Sequence, residues 1–370
     1  MADGNVVSAR RVSTISTSQV VDCLNLCKEA GAAVLLWGPP GVGKSAIVRQ
    51  FAERVARLPL FEISLSQYEP VDMKGIPGLV DGSDDGGRPA RYTRFFPPDF
   101  LPRTPAVIFF DELGSALPAT QVACQRIVLD RSLEGWRAHD ETFIVAASNR
   151  RIDKTGVHAL PLALDNRLVH FEVVPSVDGW IDWLLAAKRG DKAESAAASL
   201  VASFAGFRPD LTHCLDGHGA ANDVHGFPTF RSWEKVCDFL AHRIRKSGRP
   251  DGDAILSACI QGVIGVSTGL LFGAFLRLQS SLECLKDILA GRDFELPKNH
   301  DARWALVGSL AQHSQNGQAR NVWRVVDAFE RADAGDLAIH LVRQCKVVSR
   351  AFVMSPEFEK WAASHPELVR

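Results

Sequence analysis

Gly38-Pro39-Pro40-Gly41-Val42-Gly43-Lys44-Ser45 is the stretch of this 370-residue chain from which its architecture can be read. It meets the pattern G-x-x-x-x-G-K-[ST], which binds phosphate when a strand precedes it and a helix follows. Both conditions hold: residues 33–37 form an apolar run of buried-strand type, and residues 44–58 carry a helical pattern. The chemistry depends on close approach. Glycines let successive backbone N–H groups surround the phosphates, and a helix N-terminus adds a favourable field. Gly38, Pro40, Gly41, Val42, Gly43, Lys44 and Ser45 are therefore the expected nucleotide contacts. Lys44 would reach the β- and γ-phosphates and the Ser45 hydroxyl would ligate Mg²⁺, so ATP and Mg²⁺ are the expected cofactors.

Outward from this loop, short apolar runs alternate with helical patterns up to residue 175, the sign of a parallel sheet with crossover helices. Further strands are expected at 60–65, 106–110, 143–147 and 169–174. The run Ile108-Phe109-Phe110-Asp111-Glu112 ends a buried strand on an acidic pair, at the strand end where open α/β sheets bind ligands. Asp111 is expected to hold the magnesium and Glu112 to polarise the attacking water. Ala146-Ala147-Ser148-Asn149 ends the next strand on Asn149, placed to reach the γ-phosphate or to orient that water. Residues 69–105 interrupt the rhythm with a Gly-, Pro- and Asp-rich stretch and read as a long exposed loop or hairpin. Beyond residue 175 the pattern is helical to the end, with a loop expected at 216–226.

Composition bounds the function. The chain has 46% hydrophobic and 23% charged residues, with 42 Lys and Arg against 43 Asp and Glu. That near-neutral balance withholds the electrostatic footprint of a nucleic-acid binder. The length favours two or three domains. Eight scattered cysteines without a C-x-x-C pair read as reduced thiols of a cytoplasmic protein, and no apolar core follows the Arg pair near the N-terminus, so no signal peptide is expected. Residues 254–276 carry no charge and are long enough to span a bilayer. They also hold Gln261, Ser257, Ser267, Thr268 and glycines, so two buried helices with a break are expected, and no membrane association. His213, Cys214, His218 and His225 lie close together but match no structural zinc spacing.

The P-loop, acidic pair and strand-end Asn149, in this order, resemble the AAA+ superfamily. The segment Glu69-Pro70-Val71-Asp72-Met73-Lys74-Gly75-Ile76-Pro77-Gly78 is similar to the helix-2 insert of its MoxR group. Leu164-Asp165-Asn166-Arg167-Leu168 resembles the segment where that group carries its arginine finger, and Phe227-Pro228-Thr229-Phe230-Arg231-Ser232-Trp233-Glu234 resembles its sensor-2 segment. Phe230 departs from the proline that many relatives have there. The resemblance implies a P-loop NTPase parallel sheet with flanking helices, followed by an all-α lid and a C-terminal helical region. The expected boundaries are 1–175 with the insert at 69–105, 176–245 and 246–370. It further implies roles in catalysis for Glu112, Asn149, Arg167 and Arg231, with Arg167 acting in trans within a homo-oligomeric ring of six copies. The helical tail is similar to a subgroup often encoded beside a von Willebrand factor A-domain protein, which makes such a protein the expected partner of a chaperone-like remodelling ATPase.

Rival readings stay open at this level. Arg150 and Arg151 compete with Arg167 for the arginine role. Related AAA+ proteins with a similar insert act on DNA, so a nucleic-acid motor or restriction-type subunit is the alternative function, and a slow nucleotide-dependent switch a third. Phe95 and Phe96 fit either a client-gripping element or one packed, with Ile76 and Leu79, onto its own domain.

Overall fold

A computed structural model describes residues 12–17, 19–133, 135–153, 156–215, 225–248, 250, 254–280, 282–314 and 318–366. The chain divides into two units, residues 1–175 and 176–370.

The first unit is built on strands β1 (Ser13–Ser16), β2 (Val34–Trp37), β3 (Leu60–Ser64), β6 (Val107–Asp111), β9 (Phe143–Ser148) and β10 (Val169–Val174). Between them lie helices α1 (Val20–Glu29), α2 (Lys44–Gln50), α3 (Pro70–Lys74), α4 (Pro118–Asp130) and α5 (Leu162–Asp165). An insert hairpin, β4 (Ile76–Ser83) and β5 (Pro89–Phe96), precedes β6, and a short ribbon, β7 (Ser132–Leu133) and β8 (Trp136–Arg137), follows α4. The main sheet has the order β1-β10-β2-β9-β6-β3, and every pair is parallel. Burial on both faces explains the uninterrupted apolar character of the inner strands. Val107, Ile108, Phe109 and Phe110 have no exposed surface. On one face Leu35, Ile63, Ile108, Phe110 and Ile144 form a continuous core with Met73.

Register positions everything that follows. Trp37 pairs with Ser148, Phe110 with Ala146, and Ser64 with Asp111. The residues after β2, β3, β6 and β9 therefore emerge along one edge. The chain leaves β2 toward β3 and leaves its neighbour β9 toward β10, in opposite directions across the sheet, the topology at which open α/β sheets bind ligands.

Three features go beyond the sequence expectation. β1 is short and polar, and it forms only by pairing with β10, so its own residues carry no strand signal. The helix expected over 44–58 is α-helical only to Gln50; residues Phe51–Ala56 continue as a π-helix that ends at Arg57 with φ 52°. The insert folds as α3 and an antiparallel hairpin in continuous register, from Ile76 opposite Phe96 to Ser83 opposite Pro89. At its turn the Asp84 carboxylate accepts the N–H groups of Gly86 (2.9 Å) and Arg88 (2.8 Å). Ile76, Leu79 and Phe96 are 74%, 72% and 51% exposed, which overturns the reading that packs them inward, whereas Phe95 of the same reading is half-buried.

The second unit is helical: α6 (Val177–Ala187), α7 (Lys192–Phe207), α8 (Phe230–Ser247), α9 (Ala254–Ile264), α10 (Val266–Ser280) and further helices through Pro356–Ser364. Phe204 stands at the centre of an aromatic cluster with Phe207, Trp233, Phe272 and Phe275. The uncharged stretch is two helices broken at Gly265 (φ 83°). Among the described residues no helix is long and apolar enough to cross a membrane. The expected loop at 216–226 falls mostly on residues outside the described ones, His218 with it; no metal-binding cluster occurs among those described.

Gly75 sets the base of the hairpin. It lies at φ 85°, ψ -178°, and a Cβ there would stand 2.0 Å from the Phe96 carbonyl oxygen. Gly75→Ala should lower stability in urea unfolding by about 2–3 kcal/mol, the scale of glycine-only backbone strain. Gly87→Ala at the hairpin tip, where φ is 75° but the added atom meets nothing, should cost only about 1 kcal/mol.

Candidate active site

The loop between β2 and α2 places Gly41 and Gly43 in the left-handed region, at φ 75° and 101°. A Cβ on Gly43 would meet no atom within 4 Å, so open space lies above the backbone where the helix begins. That space fits a phosphate chain, since consecutive loop N–H groups and the α2 N-terminus border it. Lys44 is 8% exposed and its ammonium lies across the loop. It donates to the carbonyls of Gly38 (2.8 Å) and Pro39 (3.1 Å) and to Asn149 Oδ1 (3.0 Å). Asn149 thereby joins the P-loop directly, from the end of the neighbouring strand β9.

One residue further on, the Ser45 hydroxyl donates to Asp111 Oδ2 at 2.6 Å. These are two hard oxygen donors side by side, the set that suits Mg²⁺ held by few protein ligands and substrate phosphates. Glu112 has φ 58°, an uncommon conformation for a residue with a side chain. The turn sends its carboxylate toward the end of β3, where the hydroxyls of Ser64 (3.2 Å) and Ser66 donate to it. Behind the acidic pair, buried Gln121 donates to the carbonyls of Leu113 (3.1 Å) and Ala116 (3.2 Å) and fixes the loop. The serine pair escaped the sequence reading, because two serines ending a strand carry no signal until β3 is known to lie beside β6.

The remaining sequence candidates are elsewhere. Arg167 is exposed and precedes β10, whose first residue Val169 pairs with Val34 at the start of β2. It borders a cavity of about 530 Å³ with Lys28, Ala33, Asp140 and Phe143, all near the strand N-termini. The length of β2, about 10 Å at roughly 3.3 Å per residue, separates it from its own P-loop. Arg150, at the P-loop edge, is already engaged by Asp153 (2.7 Å) and Glu172 (3.0 Å). The hydrogen bond to Asp153, then that to Glu172, holds its guanidinium above the ordinary value against the opposing effect of burial. Arg151 is exposed.

In the second unit Arg231 is exposed in the first turn of α8, whose N-cap Thr229 accepts the Ser232 N–H. Phe230 is buried and stacks on Trp180 at 4.9 Å, so the departure from proline leaves the helix start intact. Nearby Glu234 has its carboxyl pushed up by burial, partly offset by Lys188 and Arg231.

A sheet of order β10-β2-β9-β6-β3 with P-loop, acidic pair and strand-end asparagine along one edge is the geometry of a nucleotide-binding α/β fold. Residues 34–173 match the family described as "ATPase family associated with various cellular activities (AAA)". They form an AAA ATPase domain. Among solved structures, the chain is similar to NtrX from Brucella abortus at 14% identity and TM-score 0.41, over 90% of this chain and 69% of that one. NtrX from the same organism in complex with ATP matches at 13% identity and TM-score 0.38, over 92% and 69%. A RuvB point mutant from Thermotoga maritima matches at 13% identity and TM-score 0.33, over 94% and 86%. A search of curated proteins returns no match.

Within the AAA domain, the Ser66 contact holds the Glu112 carboxylate at the turn that follows β3. Ser66→Ala removes one donor, so basal ATP turnover should rise by roughly three- to tenfold, the shift that losing about 1 kcal/mol allows. A steady-state phosphate-release assay checks this. Lower turnover would mean that the serines orient Glu112 for catalysis.

Proposed function

We propose that the protein is an ATP-hydrolysing, ring-forming ATPase of the MoxR type that remodels or activates a partner protein. The observation that carries the hydrolytic reading is the meeting of Lys44, Ser45, Asp111, Glu112 and Asn149 at one strand edge. When phosphates enter, the Lys44 ammonium exchanges the Gly38 and Pro39 carbonyls for phosphate oxygens and stays tied to Asn149. Ser45 and Asp111 are the residues that would hold Mg²⁺, which neutralises charge on the β- and γ-oxygens when bound. Glu112 leaves Ser66 and Ser64 to accept a hydrogen bond from water in line with the γ-phosphate.

Assembly is supported by the placement of Arg167. Phosphoryl transfer spreads negative charge over the γ-oxygens, and a cation from a neighbouring copy can stabilise it. An exposed arginine a strand's length from its own P-loop suits that role, whereas Arg150 is occupied by two carboxylates. The helical second unit, with Arg231 exposed on α8, would serve as the lid and sensor. A ring of six copies is the form we favour.

A protein client, with a von Willebrand factor A-domain protein as the first candidate, is supported by the hairpin. It exposes Ile76, Tyr92 and Phe96 on one face, an apolar surface that marks interaction sites. A nucleic-acid motor has less support, because Arg91 is paired with Asp81 at 3.1 Å and the tip carries Asp84 and Asp85.

Lys44→Ala should abolish ATP binding in a fluorescent-nucleotide titration, whereas Glu112→Gln should bind ATP and stop at the unhydrolysed state. Wild-type turnover by Glu112→Gln would refute the role of the acidic pair. Arg167→Ala should keep ATP affinity and lose turnover on the order of a thousandfold. Mixed with Glu112→Gln, it should regain activity, since some interfaces then hold an intact Glu112 and an intact Arg167; no recovery in rings shown to exchange subunits would exclude catalysis across the interface.

A further inference from the structure

The end of β2 is wired to the arginine segment by a line of side chains that nucleotide binding and hydrolysis do not need in themselves. Trp37 directly precedes Gly38, and its indole N–H donates to His170 Nδ1 at 2.9 Å. The two rings lie edge to edge and nearly coplanar, with centroids 6.2 Å apart and planes 13° from parallel. With Nδ1 accepting, the ring proton sits on Nε2, which donates to the Asp165 carbonyl oxygen at 2.7 Å. Asp165 ends α5, its carboxylate 3.7 Å from the same nitrogen, and Arg167 follows two residues later. Imidazole suits this place because its two nitrogens face opposite ways, one accepting and one donating.

We infer that His170 is a positioning residue, carrying the state of the P-loop through Trp37 and Asp165 to the segment that bears Arg167. The inference rests on the reading of Arg167 as the arginine acting on a neighbouring copy. The moving part is at the loop. Lys44 holds the Gly38 and Pro39 carbonyls at 2.8 and 3.1 Å and must release them to meet phosphate. Gly38 has no slack on its other side, since even a Cβ there would stand 2.9 Å from the Val173 carbonyl of β10. A peptide pinned against β10 passes a change of partner to its neighbour, and Trp37 is that neighbour. The indole, the imidazole and the α5 carbonyl then shift as one hydrogen-bonded unit. An empty site and a filled site thus present Arg167 differently at the far edge of the sheet, so each copy reports its own nucleotide to the next.

Hydrogen exchange followed by mass spectrometry tests this without hydrolysis, using Mg²⁺ and ADP as the probe. In the wild type, ADP should change the exchange of residues 162–168. His170→Phe keeps an aromatic ring but neither hydrogen bond, and the change should disappear while ADP still protects residues 38–45. His170→Gln has an acceptor and a donor in similar places and should restore it; Trp37→Phe, which removes the donor at the other end, should behave like His170→Phe. In turnover assays His170→Phe should lower kcat about tenfold with the ATP KM within about twofold, and His170→Gln should recover most of it. Wild-type exchange at 162–168 indifferent to ADP, or an undiminished response in His170→Phe, overturns the relay. Arg167→Ala at wild-type turnover would instead overturn the arginine's assignment, because the exchange measurement reads the relay alone.

Discussion

Parallel pairing of four strands in one register is the constraint on which the site depends. Backbone N–H and C=O groups buried between two apolar faces must find partners, and in a parallel sheet they find them only on aligned neighbours. β2, β9, β6 and β3 therefore end together, and each end delivers one polar contribution: the P-loop, Asn149, the acidic pair and the serine pair. None of these groups is near another in sequence; Ser45 and Asp111 are 66 residues apart and meet at 2.6 Å. A slip of one residue in any pairing would invert the faces of that strand and separate them.

The same edge stores its electrostatic demands in advance. A buried ammonium without partners is costly, and Lys44 avoids the cost with two carbonyls and one amide oxygen. These are acceptors that an anion can replace without leaving the cation exposed. Glu112 shows the complementary arrangement, a carboxylate in an unfavourable backbone conformation aimed at hydroxyls that are weaker partners than a cation would be. Both groups are held, and neither is locked.

The hairpin obeys different physics. A two-stranded ribbon is marginal by itself, and this one shields its backbone by laying rings over glycines: Phe96 over Gly78 and Tyr92 over Gly82. The Tyr92 hydroxyl donates to the Ser83 carbonyl at 2.8 Å, and a capping box between Glu69 and Asp72 starts the helix at its base. Rings used this way stay exposed, so the element is stable while its apolar surface remains available.

Local composition determined much of this protein. Glycines at 41 and 43 dictate the phosphate loop because only they accept its backbone freely, and the apolar runs at 107–110 and 143–147 dictate buried strands because no other placement hides them. The break at Gly265 was legible for the same reason. Tertiary structure alone decided whatever needs a distant partner. β1 exists because β10 offers an edge, Arg150 is engaged because Glu172 comes beside it, and the serines meet Glu112 because β3 and β6 are neighbours. Trp37, His170 and Asp165 are an indole, an imidazole and a carbonyl scattered over 130 residues until the sheet aligns them. Hydrophobicity and backbone conformation are properties of a residue and its near neighbours; a hydrogen bond across the sheet belongs to the register.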